Sequence, residues 1–231
     1  MAAESTARAM PDRLALLPRI HLAAGAHEAT GAEIPEACVM EIASWLAGEP
    51  WSDQTTCVST ILGGFARSLN DTLPDDTRQR LVPLAPRLIG TADDGLDETR
   101  GYMALDWLIR TYTPAWLDLA GLTEEAAALR SLRRIVDLAA AEAAGPVVRV
   151  GREKAVAAGT VAGTVAGDAA GAATWAAAWA AAGAAAEDAV RAAARAAGGD
   201  AVKPTVTQLE QSAIDLFDRM IDGRWDDGAG R

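Results

Sequence analysis

Nowhere does the chain carry the alternation of β-branched and polar residues that a half-buried strand requires. The only β-rich run, Val147 to Val150, is too short to found a sheet. Apolar residues recur instead at helical spacing, so the expected fold is all-α. It should be a multi-helix orthogonal or bundle domain with a long Ala/Gly-rich packing helix. At 231 residues such a chain can bury a sizeable core without metals or disulfides. The expected organisation is a helical core domain over 1–145 that holds the candidate site. Residues 146–231 should add the long helix and a C-terminal amphipathic helix, packed on that core as one unit.

Individual helices follow from punctuation. Pro35 suits the first position of a helix whose apolar arc is Cys38, Val39, Ile42 and Leu46, with Gly48 as its C-terminal cap. A second face reads Cys57, Val58, Ile61, Leu62, Phe65 and Leu69. Gly63 and Gly64 inside it are easiest to accept if another backbone approaches there. Leu96 to Thr113 is the most apolar helix and should end at Pro114; Thr123 should cap a further helix that Gly145-Pro146 ends. From Gly159 to Arg195, glycine, tryptophan and charged residues recur every four positions, Trp175 and Trp179 among them, winding round a helix as a packing ridge. Lys203-Pro204 should separate it from a last helix with the face Leu209, Ala213, Leu216, Phe217 and Met220.

A formal net charge of −11 repels nucleic acids and anionic membrane surfaces, so neither is an expected partner. The uncharged run Ala169 to Ala186 is nearly all alanine and glycine and lacks the leucine, isoleucine and phenylalanine of a true span. Nothing at the N-terminus resembles a signal peptide, which places the protein in the cytoplasm with Cys38 and Cys57 as buried, reduced thiols. No metal-type cysteine pair occurs, and His21 and His27 lie six apart, so no metal or other cofactor is expected.

Two constellations could carry chemistry. Glu41 and Trp45 lie one turn apart, followed by Glu49, Trp51 and Asp53. Carboxylates between tryptophans can form a desolvated acidic pocket, in which a raised pKa suits general acid/base work near neutral pH. The other reading is a capping loop, in which Ser52 or Asp53 caps the second helix and the tryptophans plug the core. The second constellation is Asp106 with Arg110, a lone polar stripe beside Trp107 on an otherwise apolar helix. It is either a buried ion pair or a substrate-facing one.

Several runs carry a family likeness. They are Cys38-Val39-Met40-Glu41, Ala47-Gly48-Glu49-Pro50-Trp51-Ser52-Asp53, Cys57-Val58-Ser59, Leu69-Asn70-Asp71 with Arg78-Gln79, and Pro86 to Thr91. The Trp/Ala-rich helix before Leu216 to Met220 belongs with them. Together they resemble a family of all-helical proteins from high-GC bacteria and their phages that has no established general activity. Some members occur among antibiotic-biosynthesis proteins. A looser likeness extends to the aziridine-forming enzymes of azinomycin-type pathways, which close a three-membered ring by displacing a sulfate ester.

The expected function is therefore a cofactor-independent enzyme of specialised metabolism. It would catalyse intramolecular cyclisation or elimination on a small polar substrate, free or held on a carrier protein. Asp53, Glu49 or Glu41 would be the base. Arg110 would hold an anionic leaving group, Asp106 would be a further substrate-binding residue, and Trp51 and Trp107 would exclude water. The alternative is a non-catalytic helical binding protein or partner subunit, with the small-residue ridge as its interface.

Overall fold

The computed structural model describes residues 8–28, 36–159, 186, 189–190, 193, 197 and 199–225. Among them there is no strand, only an isolated parallel bridge between Leu22 and Ala37, and the fold is all-α. The four-residue ridge, Trp175 and Trp179 included, and the uncharged run from Ala169 fall almost wholly outside the described residues. Among those described, no helix is long and apolar enough to cross a membrane. The chain divides into two compact units, Met1–Gly101 with Ser212–Trp225, and Tyr102–Gln211.

The first unit begins with α1 (Pro11–Leu14) and a short 3-10 turn. After an extended segment comes α2 (Val39–Ala47). This helix starts later than Pro35 implied, because Cys38 is its N-cap. The Cys38 sulfur accepts the Glu41 N–H, and the Glu41 carboxylate accepts the Cys38 N–H. Cysteine thus takes the place that serine or threonine usually fills in a reciprocal cap. Gly48 ends the helix at φ 77°, as its position implied. Arg13 donates to the Trp45 carbonyl and stacks over the Trp45 ring at 5.2 Å, a cation at the negative end of the helix.

Helix α3 (Thr60–Thr72) is capped by Ser59, not by Ser52 or Asp53. Helix α2 packs against α3 and against α5 (Ala85–Leu88). At Gly63 the neighbour is the Met40 side chain, 3.4 Å from where a Cβ would stand, and at Gly64 nothing lies within 4 Å. The tolerance for glycine therefore comes from a side chain rather than a backbone. Helix α4 (Asp75–Arg78) follows Pro74, and a 3-10 stretch leads to α5.

The unit closes around Arg100, which is fully buried near the start of α6 (Asp97–Trp107). Its guanidinium donates to the carbonyls of Met220 and Ile221, which end the last helix, α10 (Gly199–Ile221). It also grips both Asp94 oxygens, at 2.7 and 2.5 Å, and reaches Asp97 and the Thr91 carbonyl at 3.3 Å. A buried guanidinium is tolerated because its donors are met by charged or carbonyl oxygens. Nearby, Arg87 pairs with Asp218 on the surface of α10 and with Asp222 just past its end. The expected face of that helix is the buried one: Leu209, Ala213, Leu216, Phe217 and Met220. Pro204 lies inside α10 on its exposed side, so Lys203-Pro204 does not begin the helix.

In the second unit, α6 does not stop at Pro114. It passes through a π-turn, Leu108–Tyr112, into α7 (Thr113–Leu119), where proline occupies the first turn and needs no N–H partner. The wider turn absorbs the missing hydrogen bond, and the Thr113 hydroxyl donates to the Leu108 carbonyl at 2.8 Å. Helix α8 (Thr123–Arg130) packs on α7 and on α9 (Leu138–Gly159). Residue 123 is the first helical residue of α8, with Leu122 in the cap position. Helix α9 runs straight through Gly145-Pro146, since Pro146 faces out while Ala141, Ala144, Val148, Gly151 and Ala155 make the buried face. The β-rich run Val147 to Val150 is helical here.

Candidate functional site

An extended segment, 20–28, lies against α2, α3 and the 3-10 stretch, and side chains hold it in place of a partner strand. The Gln79 amide donates to the Leu22 carbonyl at 3.0 Å and accepts the Leu22 N–H at 2.8 Å. Asn70, fully buried, donates to the Ala23 carbonyl at 2.8 Å while accepting the Val39 N–H at 3.1 Å. Asp71 accepts the Gly25 N–H at 2.8 Å, where Gly25 has φ 87°. The Asn70-Asp71 and Arg78-Gln79 dipeptides are therefore structural. Arg78, largely buried, adds bonds to the carbonyls of Asn70 and Leu73.

This segment delivers His27 to Glu41. One Glu41 oxygen accepts the His27 main-chain N–H at 2.5 Å. The other accepts the Cys38 N–H at 2.7 Å and lies 3.1 Å from His27 Nδ1. An oxygen pair that receives two backbone N–H groups acts as a carboxylate, so the facing imidazole nitrogen is the donor. In a neutral ring that donates from Nδ1, Nε2 keeps its lone pair. The Trp51 indole then donates to the His27 carbonyl at 2.8 Å, tying the turn after α2 to the same residue. Side-chain exposure is 2% for Glu41 and 17% for His27. The imidazole, not the carboxylate, is the group a solute can meet.

The acidic turn takes a different form from the desolvated pocket. Glu49 receives the Thr55 hydroxyl, the Thr56 hydroxyl at 2.9 Å and the Thr56 N–H at 2.9 Å. Burial pushes its carboxyl up, but these donors outweigh burial and hold it below the ordinary carboxylate range. The raised pKa expected for a base at Glu49 is thus reversed. Asp53 offers its main-chain carbonyl to Arg67 at 2.8 Å, and among the described residues no hydrogen bond reaches its carboxylate. Of the residues singled out in this turn, Glu41 and Trp51 converge on His27, while Glu49 closes the 49–56 loop on itself.

Asp106, Trp107 and Arg110 form a separate group in the second unit. Arg110 Nη1 reaches the two Asp106 oxygens at 3.2 and 3.3 Å, and Asp106 also accepts the Ile135 N–H at 2.8 Å. The pair is half-buried and ties the loop before α9 to the π-turn. Trp107 packs on Tyr112 at 5.2 Å, and Tyr112 meets the buried Trp116 edge-on at 6.1 Å. Burial pushes the Tyr112 phenol up, more than the adjoining Trp116 indole lowers it.

Cys38 and Cys57 are free and buried. Burial pushes the Cys38 thiol up to about 12, and burial also raises Cys57. No group of histidine, cysteine and carboxylate residues suited to a metal ion occurs among the described residues. In the sequence His27 stands out only as a possible metal ligand. Its role becomes visible once Glu41, fourteen residues on, is seen to face it. No protein-family model, curated protein or solved structure matches this chain.

Proposed function

We propose that this chain is a cofactor-independent enzyme whose proton-transfer pair is His27 and Glu41. It acts on a small polar substrate by intramolecular substitution or elimination. The observation that carries the reading is Glu41 itself: a buried carboxyl group that accepts two backbone N–H groups and faces Nδ1 of a part-exposed histidine. That geometry fixes the tautomer and stabilises the imidazolium formed when Nε2 takes a proton, which is how carboxylate–histidine pairs support general base catalysis. Glu41, named from sequence as a base, becomes the positioning residue, and His27 becomes the base.

The smallest substrate of the expected class is an amine with a vicinal sulfate ester. Nε2 of His27 would remove a proton from the amine as its nitrogen bonds to the sulfate-bearing carbon. The carbon–oxygen bond breaks, and sulfate leaves with the electron pair. Trp51 holds the His27 main chain through its indole N–H.

The test is sulfate release from 2-aminoethyl hydrogen sulfate and longer vicinal amino sulfates, with wild type compared with His27→Gln and Glu41→Gln. The expected loss for His27→Gln is about 10²- to 10⁴-fold, the usual contribution of a positioned base. Turnover that persists undiminished in a folded His27→Gln protein would remove the pair from the chemistry.

A further inference from the structure

The segment that carries His27 is held in an unusual way. Of residues 20–28 only Leu22 is buried, at 0% exposure. Among the described residues its main chain makes two backbone hydrogen bonds to the rest of the unit, Ala23 N–H to the Ala37 carbonyl at 2.9 Å and, at its start, Ile20 N–H to the Leu17 carbonyl at 3.1 Å. The ties that remain come from side chains on other elements: Gln79, Asn70, Asp71, Glu41 and Trp51 hold its main chain, and Asp75 meets the exposed His21 ring at 3.2 Å. Segments with little buried apolar surface and few backbone ties open at free energies well below global unfolding. By contrast, the α2 residues that face this segment belong to a core in which Ile42, Ala43 and Leu46 are fully buried.

We infer that residues 20–28 form a detachable strap, latched by Leu22, whose release withdraws His27 from Glu41 while α2 and α3 stay folded. The meaning of the strap, though not its test, rests on the reading of His27 and Glu41 as the working pair. Docked, the strap presents an oriented imidazole. Released, it leaves Glu41 capping α2 through Cys38 alone, and the base is gone from the site. Strap docking then sets the fraction of molecules in which the pair exists, and any solute that binds the docked imidazole favours the docked state.

Native-state amide hydrogen exchange on the full chain decides it. The amides of Ala23, Gly25 and His27 report the strap through their bonds to Ala37, Asp71 and Glu41. Those of Ile42, Ala43 and Leu46 report the body of the unit. In the wild type the strap amides should exchange at least about tenfold faster than the α2 amides. Leu22→Ala should speed the strap amides by about a hundredfold, the effect of deleting one fully buried leucine, with the α2 amides nearly unmoved. If Leu22→Ala does not fold, the wild-type comparison and Gln79→Leu, which removes the amide grip on Leu22, separate the same two outcomes. Strap and α2 amides exchanging at one common rate, in wild type and variant alike, would show a single cooperative unit and overturn the strap. A separately opening strap in a protein whose His27→Gln variant keeps full turnover would leave the strap standing and remove the catalytic reading.

Discussion

Replacing Arg100 with methionine isolates what holds the last helix in place. Methionine keeps much of the stem's volume and removes every donor. The carbonyls of Ile221 and Thr91 then lose their partner inside the protein, while that of Met220 keeps the Gly223 N–H at 3.1 Å. A buried acceptor left unsatisfied costs about 1–3 kcal/mol. Asp94 and Asp97 suffer less, because their side chains are 27% and 41% exposed and water can replace the guanidinium. The net expectation is a loss of about 3–5 kcal/mol, in line with removing one partner of a buried ion pair. For a chain of this size that corresponds to a fall in Tm of about 6–20 °C. Arg87 is the internal control. It bridges to Asp218 in the same helix and to Asp222 just past its end, which are 45% and 38% exposed, so Arg87→Met should cost about 1 kcal/mol or less. Urea unfolding followed by far-UV circular dichroism measures both. An Arg100→Met protein within about 1 kcal/mol of wild type, or an Arg87→Met protein equally damaged, would refute the ranking of buried over exposed pairs.

Three further outcomes follow from the same structure. Asn70→Asp removes the donor to the Ala23 carbonyl and sets a second carboxylate beside Asp71, so thermal melting should show a loss of about 3 kcal/mol. Cys38 should resist thiol reagents in the native protein near neutral pH. Its folded pKa of about 12 lies above the ordinary 9.0, so its stabilisation is complete below about 9 and is lost as pH rises toward 12. Thiol titration with and without urea, and urea midpoints across that alkaline range in wild type against Cys38→Ala, measure both effects. Glu49 has its folded pKa depressed below 4.5, so it stabilises above that value and the gain is lost as pH falls through the folded pKa. Glu49→Gln should flatten the acid limb of Tm against pH, and an unchanged limb would detach Glu49 from the 49–56 loop.

Helix faces were legible where one period of apolar residues met one wall. The Leu209-to-Met220 face and the glycine stop at Gly48 follow from spacing alone, and Gly48 has the positive φ such a stop requires. Helix ends marked by proline were misread. Pro114 is absorbed by a π-turn, and Pro146 and Pro204 sit on exposed faces where the rest of the helix outweighs one lost hydrogen bond. The strap and the Arg100 cluster were invisible for another reason. Their bonds join residues far apart in sequence, such as Gln79 to Leu22 and Arg100 to Met220, and no local period encodes them. The same holds for the site: Glu41 and Trp51 stood out, but His27 has no role until the chain folds back on α2. The resemblance-bearing dipeptides Asn70-Asp71 and Arg78-Gln79 organise that fold-back rather than any chemistry.

The proton on His27 tests the central claim most directly. The chain has two histidines, so long-range proton–nitrogen NMR of [¹⁵N]histidine-labelled protein resolves each ring. At a pH where His27 is neutral, the expected state is a proton on Nδ1, facing Glu41, and a bare Nε2, whereas in Glu41→Gln that preference should vanish. A wild-type ring protonated at Nε2 with Nδ1 bare would mean that Glu41 does not orient a base, and would contradict the proposed site.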